Sequence, residues 1–256
     1  MSSEQEPKVK SLAKALHLLE YFTLQEPELG ITELAEKMGV TKSNVHNIVS
    51  TFQSLGYVEK LPNGKYTLGL KMLEFAFIIN QHLGYPKAVY DVLMETASLT
   101  DEIVYFGVPY GTDVLYLYVA HPVARLNEFP YREILGEKGP LYATGIGKAI
   151  LAHLPEAEWP ERIPPERTRF TDNTKTDYDE IMEELRRIRT RGYSIDNIER
   201  EPNVRCVGVP VFNAAGALVG GISTSGPANI MTDDKLMECA NILRTASLKM
   251  KQRIYH

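Results

Sequence analysis

Two sets of residues in this chain have types and spacings suited to chemistry. The first is the run Thr41-Lys42-Ser43-Asn44-Val45-His46-Asn47-Ile48-Val49-Ser50. Wound at about 100° per residue, it places Ser43, Asn47, Ser50 and Ser54 on one face, with His46 at the flank, and Val45, Ile48, Val49 and Phe52 on the other. An uncharged face of short polar groups suits base edges, because Asn pairs bidentately with adenine and Ser donates or accepts at several bases. Lys37, Lys42, Lys60 and Lys65 and the amides of the helix start suit phosphates.

The second set lies in three stretches, 141–155, 189–212 and 220–227, each mixing apolar residues with glycines and hydroxyls. Gly145-Ile146-Gly147 precedes a short helix whose amides suit an anion. It is not GxGxxG, since Ile150 holds the last position, and not a P-loop, since Tyr142 stands where glycine is required. Ser223 and Ser225 flank Thr224 on a strand end, so both face one way. GISTS misses the GxSxG nucleophile elbow by its last residue, and His153 is the only histidine in the three stretches, so no base is nominated. Asp196, after GYSI, suits either a ligand contact or a turn cap. Cys206 has no resolving cysteine near it in sequence.

The elements that must position these groups follow from periodicity. Apolar residues at Leu12, Ala15, Leu16, Leu19 and Phe22 predict a helix from Ser11. Thr32 is placed to cap a short second helix ended by Gly39. Thr41 is placed to cap a third, with Val45, Ile48, Val49, Phe52 and Leu55 as its buried stripe. Alternation around Pro62-Asn63-Gly64 predicts a hairpin, and the whole reads as a winged helix-turn-helix. Residues 69–83 are helical in pattern and apolar on more than one face, which predicts burial against a second copy. Beyond them helices alternate with strands, including 103–108, 114–119, 204–212 and 218–223, and helices are expected at 85–100, 146–153, 177–191 and 233 to about 254. Residues 156–178 read as an exposed loop. The fold class is α+β: a winged helix-turn-helix domain (8–69), a linker and dimerisation helix (70–83), and a sensor domain with a largely antiparallel sheet (84–253).

SLAKALHLLEYF, ITELAEKMGVTKSNVHNIVSTFQSLGYVEK and GKYTLGLKMLE resemble the DNA-binding domain of the IclR family of bacterial transcription regulators. The three later stretches resemble that family's effector domain, whose fold is similar to GAF-type sensors. The resemblance implies a ligand-responsive regulator, dimeric or tetrameric, on a palindromic duplex operator. DNA contacts are then expected at Lys37, Thr41, Lys42, Ser43, Asn44, His46, Asn47, Ser50 and Lys65. It further implies a small organic acid, carboxylic or aromatic, as effector, held by the backbone of Gly145 and Ile146 and by Asp196, Cys206, Ser223 and Ser225. Asn47 stands where the family commonly carries arginine, and the bulk of Ile146 is expected to narrow the pocket.

Composition agrees. The 256 residues carry a net charge of −5. Residues 1–80 hold eight lysines against nine acids and no arginine, and all thirteen arginines lie beyond them. So nearly neutral a module, with a net −1 over residues 1–80, predicts few phosphate contacts per monomer, hence reliance on dimerisation. Two distant cysteines and six scattered histidines give no metal motif, and no cofactor is expected. No stretch reads as a membrane span or signal peptide, so a cytoplasmic protein is expected. The competing readings are a serine-dependent hydrolase or acyltransferase fused to a DNA-binding domain, and a second domain that only assembles oligomers.

Overall fold

A computed structural model describes residues 6–122 and 136–254. The chain divides into two compact units, Met1–His82 and Leu83–His256.

In the first unit, helices α1 (Lys10–Glu20), α2 (Ile31–Met38) and α3 (Lys42–Ser54) precede the hairpin β1 (Val58–Lys60) and β2 (Tyr66–Leu68), and α4 (Lys71–Leu83) follows. The hairpin pairs Glu59 with Thr67, and Leu29 bridges to Tyr66. Leu18, Leu34, Val45, Val49, Val58 and Tyr66 form the core. Gly39 ends α2 in the left-handed conformation that its missing side chain permits. Two turns beyond the expected pattern were decided by local geometry. The cap of α2 is Gly30, whose N–H donates to the Glu33 carboxylate at 2.6 Å, so Thr32 lies inside the helix. Helix α1 begins at Lys10 after Val9, with Ser11 inside it, and Leu12 and Leu16 are exposed while Leu18 takes the core position. Leu55 is likewise exposed, because α3 ends before it.

The second unit is a three-layer sandwich. Strands β3 (Ile103–Tyr110), β4 (Asp113–Ala120), β5 (Lys138–Pro140), β6 (Ser194–Asn197), β7 (Val204–Phe212) and β8 (Leu218–Pro227) form one antiparallel sheet in the order β5-β4-β3-β8-β7-β6. Helices α5 (Tyr85–Thr100) and α9 (Asp233–Lys251) cover one face over Val104, Phe106, Val207, Val209 and Ile222. Helix α6 (Gly145–His153) covers part of the other, with α8 (Tyr178–Arg191) packed outside it through Ile181, Leu185 and Ile188. Alternation along the strands makes this division, since neighbours point to opposite faces.

The approach of α6 to the sheet is unusually close. A Cβ on Gly208 would lie 2.7 Å from the Gly145 carbonyl oxygen, and one on Gly145 would lie 2.5 Å from the Cys206 sulfur. Only hydrogen fits at both. The stretch expected as an exposed loop is instead anchored: it contains α7 (Trp159–Arg162), and Trp159 is wholly buried, its indole donating to the Leu154 carbonyl at 3.2 Å. So large an aromatic surface outweighs the charged residues around it.

Candidate DNA-binding face and effector pocket

Helix α3 owes its start to Thr41, whose hydroxyl accepts from the Asn44 N–H at 3.3 Å. Val45 and Val49 are fully buried, which fixes the rotation of the helix. Lys42, Ser43, Asn44, His46 and Asn47 are exposed as a result, and Ser50 is half-buried, 3.5 Å from the His46 ring. Two lysines expected at phosphates are engaged within the unit: Lys37 pairs with Glu26 at 2.6 Å and Lys65 with Glu33 at 3.0 Å. Both pairs are solvent-accessible, so little energy holds them against a competing phosphate. No ion pair involves Lys42 among the described residues.

In the second unit the sheet face left uncovered beside the N-terminus of α6 borders a cavity of about 130 Å³. One water needs roughly 10–15 Å³ measured this way, so the space suits a molecule of some ten heavy atoms. Cross-strand register assembles its floor. Asp196 lies opposite Cys206 and Cys206 opposite Ser225, while Ser223 lies opposite Tyr105. Residues directly opposed in an antiparallel sheet share a face, and all five line the cavity with Gly145, Thr144 and Tyr116. The two serines therefore do point together.

Ile146 is the exception. It is absent from the lining, and its side chain enters the core against the places where Gly107 and Gly221 leave room. Its bulk fills the space between α6 and the sheet and does not narrow the pocket. The amide of Gly147 is occupied by the Thr144 hydroxyl at 3.1 Å.

Asp196 both caps and lines. Its Oδ1 accepts from the Glu199 N–H at 2.6 Å and from the Arg200 N–H at 3.4 Å, so the turn-cap reading and the cavity position are one arrangement. Burial raises its carboxyl to about 6, against the opposing pull of the Lys148 charge. Burial pushes the Cys206 thiol up to about 12, so the sulfur is protonated and inert. Burial likewise raises the Tyr116 phenol. The lining holds two serines and no histidine to act as their base.

Several lining residues escaped the sequence reading: Tyr105, Tyr116, Glu137, Arg200, Glu201 and Val204. Tyr105 joins the lining through its register opposite Ser223, and register is a tertiary fact. Arg200 and Glu201 sit in a loop whose path no periodicity describes.

The profile described as IclR helix-turn-helix domain matches residues 11–62, and that of the bacterial transcriptional regulator IclR C-terminal domain matches residues 82–252. The HTH-type transcriptional regulator XynR of Escherichia coli is 31% identical over 97% of this chain and 98% of its own. Among solved structures, an IclR transcriptional regulator from Silicibacter sp. TM1040 superposes with TM-score 0.83 at 26% identity, covering 95% of this chain and 96% of that one. An IclR homologue of Microbacterium hydrocarbonoxydans complexed with 4-hydroxybenzoate shares the fold, with TM-score 0.82 at 19% identity over 95% of this chain and 98% of that one.

Proposed function

The chain belongs to the IclR family of DNA-binding transcriptional regulators, with a C-terminal ligand-binding domain, and from that premise we propose how this member works. The exposed face of α3 reads base edges in a major groove, with Ser43, His46, Asn47 and Ser50 toward the bases. Lys42, Thr41, Asn44 and the amides at the helix start hold phosphates, with Lys37 and Lys65 released from their ion pairs to do the same. The observation that carries this reading is the burial of Val45 and Val49, which leaves Lys42, Ser43, Asn44, His46 and Asn47 exposed on the other side of α3.

The operator is a palindrome bound by a dimer or a dimer of dimers. Helix α4 supports this reading: none of its residues is buried, while Leu73, Phe77, Ile78 and Ile79 are about 60% exposed. An apolar surface of that kind fits a second copy of the same helix. Residues 8–69, 70–83 and 84–253 then serve as DNA-binding, linker and effector domains. The effector is a small organic acid in the cavity touched by Gly145, Asp196, Cys206, Ser223 and Ser225. Its differential affinity for two dimer arrangements shifts operator binding. The protein works in the cytoplasm; among the described residues no helix is long and apolar enough to cross a membrane.

The test is a gel shift with DNA from upstream of the protein's own gene, with and without small carboxylic acids. Salt-sensitive, sequence-selective retardation that an acid alters supports the proposal. Retardation equal on all sequences overturns it.

A further inference from the structure

Arg200 lines the cavity, and its guanidinium carbon lies 4.3 Å from the centre of the Phe170 ring. It makes no ion pair among the described residues, although Asp196 and Glu201 line the same space. A guanidinium held against an aromatic face keeps its edge donors free for a partner in plane.

The loop that presents it is anchored at several points. Glu199, one residue earlier, is turned into the core, where Oε1 accepts from Nζ of the buried Lys148 at 2.5 Å. The Glu199 carbonyl accepts from the Thr174 hydroxyl at 2.6 Å, and Ile198 and Asn203 bracket the segment in left-handed conformations. With Glu199 fixed inward and Asp196 tied to the turn amides, Arg200 is delivered to the cavity.

We propose that Arg200 is the specificity-determining anion contact of this pocket, and that the ligand is a short hydroxylated carboxylic acid. The inference rests on the effector reading above and names the chemistry of that site. One guanidinium fits one carboxylate in a planar, bidentate pair. The Ser225 hydroxyl and the Tyr116 phenol, which line the cavity and make no side-chain hydrogen bond among the described residues, require donors and acceptors along the rest of the molecule. A plain apolar or aromatic acid would leave those groups desolvated without partners, which costs affinity. A polyol without the carboxylate would leave Arg200 unanswered.

Calorimetry on the full chain with three matched sets separates these cases. The hydroxy acids are glycerate, threonate and gluconate; the neutral polyols are glycerol, threitol and sorbitol; butyrate, benzoate and glucosamine complete the panel. The expected result is one hydroxy acid bound about 10- to 100-fold more tightly than its polyol and than butyrate or benzoate. In Arg200→Gln the acid-to-polyol ratio collapses by about tenfold or more, and in Arg200→Lys it is partly kept. A merely damaged pocket would weaken acid and polyol alike, and that outcome overturns the assignment. Preference for a polyol, benzoate or glucosamine also overturns it while leaving a ligand-responsive regulator standing. If no probe binds and none alters operator retardation, the effector reading falls with it.

Discussion

Lys148 on α6 and Glu199 beyond β6 form an ion pair with Nζ and Oε1 2.5 Å apart, and each side chain keeps only 2% of its surface in contact with solvent. The same ammonium donates to the Ile195 carbonyl at 2.6 Å, so one buried charge ties the helix to both ends of the Asp196 turn. Breaking such a pair is costly because the survivor is left charged and dry. Lys148→Met is expected to lower stability by about 3–5 kcal/mol, moderated by Lys175, 3.6 Å from the same oxygen. Lys148→Met with Glu199→Leu should recover most of the loss in urea denaturation. Equal instability of single and double variants would mean the pair acts through packing instead.

The raised carboxyl of Asp196 predicts a pH dependence with a definite sign. The folded chain keeps this proton until about pH 6, whereas an unfolded Asp loses it near 3.8. The folded state therefore binds more protons between those values, and Asp196 costs progressively more stability as pH rises from about 4 through 6. Asp196→Asn retains an oxygen for the Glu199 amide and removes the titration. Its stability relative to the parent should improve between pH 4 and 7, by up to about 3 kcal/mol. Parallel stability curves for the two proteins would contradict the assignment.

Gly208→Ala should be destabilising by at least about 1–3 kcal/mol, because the new methyl meets backbone, 2.7 Å from the Gly145 oxygen and 2.9 Å from the Ile146 nitrogen. Backbone on both sides leaves no flexible side chain to yield. Since α6 forms one wall of the cavity, ligand affinity should fall together with Tm, and a variant with unchanged Tm would refute the close packing.

Asn47→Ala and Lys42→Ala separate readout from positioning on α3. Asn47→Ala is expected to relax base preference at one position of each half-site, at a cost of about 1–3 kcal/mol. Lys42→Ala is expected to weaken all sequences alike and to lower the salt slope by about one. Competition binding at several salt concentrations distinguishes them; an Asn47 variant that loses affinity equally on every sequence would make Asn47 a phosphate-side contact.

Phe77→Glu on the exposed face of α4 is expected to shift sedimentation from dimer to monomer and to reduce operator affinity much more than single half-site affinity. Unchanged mass at micromolar concentration would remove α4 from the interface.

Much of this molecule was legible before folding. Gly39, Thr41 and the turn at Pro62-Asn63-Gly64 carry their conformational preferences locally, and the valines of α3 announce which side is buried. Other local cues failed where a competing partner was closer. Thr32 lost the cap of α2 to a carboxylate reaching back from Glu33, and Leu12 and Leu16 of α1 lie outside the core that Leu18 enters. Trp159, within a charged and proline-rich stretch, was hidden because one large apolar residue has no period to detect.

What the sequence determined by itself is therefore the helix-turn-helix and hairpin of the first unit, the polar face of α3 and the family, since each depends on residue type and near neighbours. What only the tertiary structure decided is the composition of the pocket. Asp196, Cys206 and Ser225 come from three strands that meet by register, Ile146 turns to the core, and Arg200 reaches the cavity because a lysine 52 positions earlier holds Glu199 inward. Contacts set by hydrogen bonding across strands and by a buried charge pair have no signature in the spacing of residues along the chain.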